Sequence, residues 1–319
     1  MALPELDLKG VILDTTTRFL QASPQGFDIA RDPGFVPVVQ LSYLLGRTIP
    51  VAVGPFEPLR HEGDTALDRP QAEQAGIELL LNILRASNEP VILSMVGSAR
   101  VVAAAFYREP ELLRSRTKAI LMNAGSTAKT KNEWNVGLDT IAYKGVWNSG
   151  LPVHWYPCST ERGAFDEEHE YGTHWNATHE SLLHDLPPTL QAWFSYALTG
   201  ERRGDIIRAL REEIPGAAWE HVLSAKRNLW STASLVMAAG RTLAKTEDGW
   251  RFVSSGGSSL AVWPMFLDPI RATVLDDGQV DWQSTVGETR YKIFRRQPGR
   301  QYGAAMAEAL HALLQSLRC

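Results

Sequence analysis

The chain has 319 residues, 44% of them hydrophobic and 21% charged, which is enough to bury a large core. Its formal net charge of −4 and its pI near 6.1 provide no basic field for nucleic acid or an anionic membrane. No apolar run approaches the roughly 18 residues of a membrane-spanning helix, and the first ten residues do not resemble a signal peptide. A disulfide is not expected, because one of the two cysteines is the terminal Cys319. We therefore predict a cytoplasmic protein that binds neither nucleic acid nor membrane.

Short apolar runs alternate with amphipathic stretches in the first half of the chain. The predicted strands are residues 10–14, 50–54, 91–96, 119–122 and 153–156. Helices are predicted between them at residues 36–45, 69–87, 100–107 and 140–148. Strands of about five residues separated by helices are typical of a parallel sheet covered on both faces. The sequence therefore predicts an α/β fold of three layers with a mostly parallel central sheet.

Polar or small residues follow several of these predicted strands. Asp14, Gly97, Asn123 and Pro157 each come directly after a strand or within two residues of its end. Ligands of open α/β sheets bind beyond the carboxyl ends of the strands, so we expect these residues to share one crevice.

The second half is predicted to be helical before a late β section. Helices are expected at residues 178–198, 205–213, 217–225, 228–240 and 299–317, and strands at 250–253, 260–263, 279–282 and 290–295. Because no internal repeat or long linker is evident, residues 1–319 are predicted to form one domain. Within it, residues 1–160 would form the sheet core, 161–250 a helical segment, and 251–319 the closing strands and C-terminal helix. All ten tryptophans lie from Trp134 onward, which indicates a larger aromatic core or an oligomer interface there.

The most informative segment is residues 118–160, KAILMNAGSTAKTKNEWNVGLDTIAYKGVWNSGLPVHWYPCST. It resembles the nucleoside hydrolases of the inosine–uridine-preferring type, in which a Met-Gly-Gly strand end precedes Glu-Phe-Asn. In that family the Glu and Asn hold the ribose hydroxyls, so the resemblance implies that Glu133 and Asn135 bind a ribosyl group, with Asn123 beside them. The alternative is that Glu133 caps the following turn and Asn135 serves the loop backbone. Asp139 is expected to be a structural residue at a helix N-terminus.

The resembled family activates water with calcium, and this chain departs from its calcium-binding motifs. The family carries Asp-x-Asp-x-x-x-Asp-Asp after its first strand, where this chain reads DTTTRFLQ and only Asp14 matches. Thr16 stands in place of the second Asp, and Asp28 and Asp32 belong to a segment that reads as a turn-rich loop. Calcium needs six to eight oxygen ligands, so the loss of several carboxylates abolishes a site. We predict that the calcium site is lost and that no cofactor is bound.

Two further departures suggest what fills the position. Arg100 falls where the family has Thr, and Leu267-Asp268-Pro269 replaces a His-Asp-Pro element, so Leu267 cannot transfer a proton. Without a dication, Asp14 and Asp268 would repel each other. We hypothesise that the Arg100 guanidinium neutralises both carboxylates; the alternative is that Arg100 is a solvated helix residue.

A series of histidines does not indicate a metal site. His169, His174, His179 and His184 recur every five residues, so consecutive members would not share one face of a helix. No zinc site is predicted from them.

Together these features predict a nucleoside-hydrolase-like protein that has lost calcium-dependent N-ribohydrolase activity and binds a nucleoside or ribosyl ligand, in a homo-oligomer. One alternative is a metal-independent N-glycosyl hydrolase in which Asp14 or Asp268 acts as the base on water. Another is a structural or interaction protein whose crevice is filled by its own side chains.

Overall fold

The computed structural model describes residues 2–16, 34–129, 133–199, 205–256 and 260–317. Its strands are β1 Val11–Leu13, β2 Val51–Val53, β3 Val91–Met95, β4 Thr117–Met122, β5 Val153–Trp155, β6 Trp175–Thr178, β7 Lys226–Leu229, β8 Arg241–Thr246, β9 Gly249–Ser254, β10 Ala261–Trp263, β11 Met265–Val274, β12 Val280–Ser284 and β13 Tyr291–Arg296. Its α-helices are α1 Phe35–Leu44, α2 Gln71–Ala86, α3 Arg100–Arg108, α4 Pro110–Arg116, α5 Trp134–Leu138, α6 Thr140–Asn148, α7 His179–Leu183, α8 Pro188–Thr199, α9 Gly216–Ser224, α10 Thr232–Ala238 and α11 Tyr302–Gln315. None of these helices is long and apolar enough to cross a membrane.

A six-stranded sheet in the order β12-β11-β13-β5-β4-β3 forms the centre of the molecule. The pairs β3–β4, β4–β5 and β5–β13 are parallel, whereas β11 pairs antiparallel with β12 and β13. β1 and β2 form a separate parallel pair. The prediction of a mostly parallel central sheet is therefore confirmed.

The two faces of the sheet are buried against different helices. Ile120 and Met122 pack into a core that includes buried residues of α2, α3 and α6. Leu121 and Phe294, which point to the other face, pack against Ala233 of α10. Because neighbouring strand residues alternate between faces, this division shows helices on both sides of the sheet, as the three-layer prediction requires.

The second half builds its own apolar cluster around α7, α8 and α11. Trp175, Phe252 and Met306 are among its buried members, and Trp219, Trp250 and Trp263 pack against it. A three-stranded antiparallel sheet in the order β10-β8-β9 lies in this half and contributes Leu243 and Phe252 to the cluster.

The predicted helix over residues 178–198 is wrong. Residues 175–178 form β6, α7 ends at Leu183, and α8 begins only at Pro188. Asp185 between the two helices has a φ of 52°, and the Pro187–Pro188 pair that follows cannot continue a helix.

The predicted helix over residues 228–240 is also wrong at its start. Residues 226–229 form β7, which pairs with β6, and the helix begins at Thr232. Strands β8 and β11 were not predicted, and β11 includes the Leu267-Asp268-Pro269 element. The pairing of β6 with β7 joins distant parts of the chain, which local periodicity does not show. β8 and β11, by contrast, form hairpins with the strands β9 and β12.

Candidate functional site

Asp14 and Ser98 meet at the carboxyl edge of β1 and β3. The Ser98 hydroxyl donates to Asp14 Oδ1 at 2.7 Å, and the Ser98 amide donates to Oδ2. Gly97 makes this approach possible, because a Cβ atom at that position would collide with the Asp14 carboxylate. The predicted proximity of Asp14 and Gly97 is confirmed, and the Asp14 side chain keeps 24% of its surface exposed.

Arg100 lies beside Asp14 at the start of α3, and its side chain is fully buried. Its Nε donates to the Ser98 hydroxyl at 3.0 Å. Its Nη1 donates to the carbonyls of Thr15 at 3.2 Å, Pro55 at 2.8 Å and Phe56. Arg100 is therefore not solvated. Because its side chain has no exposed surface, it is not accessible for the predicted contact with a ligand.

Asp139 is the second carboxylate near this guanidinium. Arg100 Nε lies 3.9 Å from Asp139 Oδ2, and Arg100 Nη2 lies 4.0 Å from Asp14 Oδ1. Asp139 also caps α6 by accepting from the Ala142 amide at 2.9 Å, and it accepts from the Leu59 amide at 2.7 Å. Burial raises the pKa of Asp139 above its usual value, against the backbone hydrogen bonds and the nearby Arg100, which lower it. The expected structural role at a helix N-terminus is confirmed.

Asp268 does not take part in this group as the sequence predicted. It lies in β11 and forms an ion pair with Arg295, whose guanidinium sits 4.7 Å from the Phe266 ring centroid. Four interstrand steps separate β11 from β3, which is about 19 Å at ordinary strand spacing. Among the described residues, the carboxylate partners of Arg100 are therefore Asp14 and Asp139, and the proposed Arg100–Asp268 pairing is wrong.

Asn123 and Asn135 form the neighbouring part of the edge, at the end of β4. Asn123 is buried, and its Nδ2 donates to the carbonyls of Met95 at 3.1 Å and Leu121 at 3.2 Å. Its Oδ1 is buried and has no hydrogen-bond partner within the described part of the chain. The Asn135 Nδ2 donates to the Asn123 carbonyl at 3.1 Å, which joins the two residues predicted to bind a ligand.

Glu133 is the third residue of this group and caps α5. Its carboxylate accepts from the amides of Gly125 at 2.9 Å, Asn135 at 3.0 Å and Val136 at 3.4 Å. Burial raises the pKa of Glu133, and these amide hydrogen bonds act in the opposite direction. The capping role offered as the alternative for Glu133 is confirmed, while its contact with a ligand stays a prediction.

Sequence reasoning missed the residues that connect these groups. Ser98 ties Asp14 to Arg100, and the loop that follows β2 supplies the Pro55 and Phe56 carbonyls. Gly97, Ser98 and Arg100 stand close together after a strand, which was the available signal for Ser98. The contribution of the loop carbonyls has no sequence signal, because any residue type carries one.

The described residues do not fit a calcium ion. Within residues 2–16, 34–129, 133–199, 205–256 and 260–317, no group of three or more His, Cys, Asp or Glu side chains could hold a metal. Asp14 accepts from Ser98, and a buried guanidinium already occupies the neighbouring oxygens. Asp28 and Asp32 lie outside the described residues.

Two members of the histidine series, His174 and His179, make hydrogen bonds to other groups of the chain. His174 contacts the Asn228 side chain through Nε2 at 3.1 Å. His179 contacts the Val222 carbonyl through Nδ1 at 2.8 Å, and its Nε2 accepts from Arg227 at 3.1 Å. Burial lowers the pKa of both imidazoles, so both favour the neutral form.

Comparison with curated proteins finds pyrimidine-specific ribonucleoside hydrolases among the relatives of this chain. The pyrimidine-specific ribonucleoside hydrolase RihA of Enterobacter sp. (strain 638) is 33% identical over 176 residues, covering 48% of this chain and 52% of the relative. RihA of Klebsiella pneumoniae (strain 342) is 27% identical over 173 residues, with the same coverage. The chain thus spans about half the length of the curated relatives it matches. No family model matches the chain.

The solved structures that align with this chain have low sequence identity to it. A purine-preferring ribonucleoside hydrolase from Gardnerella vaginalis has a TM-score of 0.47 at 12% identity, over 98% of this chain and 93% of that one. A plant nucleoside hydrolase, PpNRh1, has a TM-score of 0.47 at 13% identity, over 99% and 93%.

Proposed function

We propose that the chain is a divergent member of the nucleoside hydrolase family, and that it binds a nucleoside or related ribosyl compound without calcium-dependent N-ribohydrolase activity. The observation that supports this most is the connected group of Asn123, Glu133 and Asn135 at the end of β4. Hydrogen bonds from Asn135 to the Asn123 carbonyl and from the Gly125 amide to Glu133 hold these residues on one short stretch of the edge.

The chemistry of this group suits adjacent hydroxyls. A carboxylate accepts hydrogen bonds from hydroxyl groups, and a side-chain amide both donates and accepts. Glu133 and Asn135 are only partly buried, so their outer surfaces can face a ligand. A ribose offers two neighbouring hydroxyls, each able to donate and accept, which is the pattern that a carboxylate and an amide recognise together.

The residues around Asp14 support the proposed loss of the ordinary reaction. Hydrolysis of an N-ribosyl bond needs an activated water on the face of the sugar opposite the leaving group. Both oxygens of Asp14 accept hydrogen bonds from Ser98. The described residues therefore lack the carboxylate set for metal activation.

The exposure of Asp14 favours a second candidate, a metal-independent N-glycosyl hydrolase. About a quarter of its side chain is accessible, and Ser98 fixes its orientation. In this reaction Asp14 would take a proton from water while the water oxygen bonds to the sugar carbon and the base departs with the bond electrons. Asp268 is a poorer base, because Arg295 is paired with it.

Ribose release from purine and pyrimidine nucleosides and from an activated aryl riboside, measured with calcium and with chelator, separates these functions. We expect no release together with calorimetric binding of at least one nucleoside. The Glu133→Gln variant should weaken that binding, whereas Glu111→Gln, which changes an exposed acid on α4, should not. Chelator-resistant release abolished by Asp14→Asn would support the second candidate, and calcium-dependent release would contradict both.

Three broader predictions accompany the proposal. We propose that the chain acts as one domain, in the cytoplasm, and as a homo-oligomer. Size-exclusion chromatography with light scattering checks the last of these directly.

A further inference from the structure

We infer that the Arg100 guanidinium is a built-in cation, occupying an oxygen cage that would otherwise bind a metal ion. The cage consists of the carbonyls of Thr15, Pro55 and Phe56, the hydroxyl of Ser98 and the carboxylates of Asp14 and Asp139. This inference does not depend on the nature of the ligand, because it concerns what holds the edge together.

The composition of the cage is that of a site for a hard cation. Four neutral oxygens accept hydrogen bonds from the guanidinium and two carboxylates lie 3.9 and 4.0 Å from it, and calcium typically takes six to eight oxygens of these kinds. The oxygens come from the segments that follow β1, β2 and β3 and from the residue before α6. A single cation therefore joins four separate parts of the chain.

A guanidinium fits this cage for geometric reasons. It is planar and carries five N–H donors, so it can reach oxygens on several sides at once. Arg100 uses Nε and Nη1 for four hydrogen bonds. Its buried Nη2 lies 4.0 Å from Asp14 Oδ1 and has no hydrogen-bond partner within the described part of the chain. An ammonium group on a lysine has three donors at one point and could not span the same set.

The charges of the residues in the cage support the same conclusion. The cage carries two carboxylates around one positive charge, and the side chains of Arg100 and Asp139 are almost completely inaccessible to water. Buried carboxylates without a positive partner are strongly destabilising. Removal of Arg100 would leave two negative charges and four neutral oxygens around an empty space, which matches the charge of one divalent cation.

The test is the thermal unfolding of wild type and Arg100→Ala in chelator, in calcium or magnesium, and in low millimolar guanidinium. Wild type should unfold at the same temperature in all conditions. Arg100→Ala should lose on the order of 10 °C in chelator, since breaking a buried ion pair is costly. A divalent cation or guanidinium should then restore a large part of that loss.

Arg296→Ala is the matched control. Arg296 is also fully buried and donates to the carbonyls of Gly172 and Glu167, but none of its described contacts is a carboxylate within 4.0 Å. It should lose stability without recovery in divalent cation. If Arg100→Ala does not fold in chelator, refolding it with and without calcium gives the same comparison, and Arg100→Lys should fold without needing a divalent cation.

The inference is overturned if wild type gains stability from calcium and loses it in chelator. It is also overturned if Arg100→Ala responds to neither cation, or if Arg296→Ala responds to calcium as strongly as Arg100→Ala does.

Discussion

Two groups of polar residues lie side by side at the carboxyl edge of the sheet, and they differ in how far their side chains are exposed. In the Arg100 cage, a fully buried guanidinium bonds to oxygens of the chain itself. In the group of Asn123, Glu133 and Asn135, two of the three side chains are partly exposed. The difference indicates that the cage holds the edge in shape, whereas Glu133 and Asn135 keep part of their surface exposed, as the proposed ligand contact requires.

Among the variants that test this comparison, Asp139→Ala is expected to cause the largest loss of stability. Asp139 accepts from two backbone amides and is one of the two carboxylates near Arg100, so its loss leaves two buried amides without an acceptor and Arg100 with Asp14 alone. We expect a loss of about 3–5 kcal/mol in the free energy of unfolding, measured by urea denaturation. Asp276→Ala removes a carboxylate that is 97% exposed, and it should leave the same free energy almost unchanged. Equal effects of the two variants would contradict the structural role of the cage.

Gly97→Ala is the next most damaging change. The added methyl group would displace the Asp14 carboxylate from Ser98, at a cost of about 1–3 kcal/mol. Gly137→Ala is a suitable comparison, since a Cβ atom there meets nothing within 4 Å and Gly137 lies in α5. That variant should be neutral or slightly stabilising. A Gly97→Ala protein as stable as wild type would show that Asp14 can move freely.

His154 lies in β5 and belongs to neither group. Its expected effect on stability is smaller. Burial lowers the pKa of His154 to about 4. The imidazole is neutral in the folded protein and has a pKa near 6.5 when unfolded, so the unfolded state binds more protons as the pH falls. The stability contributed by His154 is full above about pH 6.5 and should decline between pH 6.5 and about 4, by on the order of 1–2 kcal/mol. Urea denaturation across this range should give a flatter profile for His154→Gln; an unchanged slope would contradict the burial effect.

The smallest change in stability is expected from Asn135→Ala. Its side chain makes one hydrogen bond to the Asn123 carbonyl, so the free energy of unfolding should fall by only about 1 kcal/mol. Ligand affinity should fall roughly tenfold if Asn135 grips a hydroxyl. Calorimetric titration with a nucleoside that binds wild type measures this, and unchanged affinity would place the ligand elsewhere.

Much of the first half of the fold could be predicted from local sequence. The apolar runs before Asp14 and Asn123 and the amphipathic helix over residues 71–86 form where the periodicity indicated them. The strands β6 and β7 could not be predicted in this way, because they pair with each other across a long stretch of chain. β8 and β11 were missed although each forms a hairpin with a nearby strand. Pro269 inside β11 adds to the difficulty, since proline is uncommon within strands.

The candidate site shows a similar division. The comparison of motifs indicated that Arg100 would meet a carboxylate, and it lies near Asp14. The choice of Asp268 as the second partner failed, because strand order places β11 far from β3. Asp139 was recognised as a helix cap, and nothing in that role indicates that its other oxygen faces a loop and an arginine.

Calcium binding to the wild-type protein tests the central claim most directly. Isothermal titration of calcium into chelator-treated protein should show no binding, and the affinity for a nucleoside should be the same with calcium and with chelator. Stoichiometric uptake of calcium, or nucleoside binding that requires it, would show that the Arg100 guanidinium does not take the place of a metal ion.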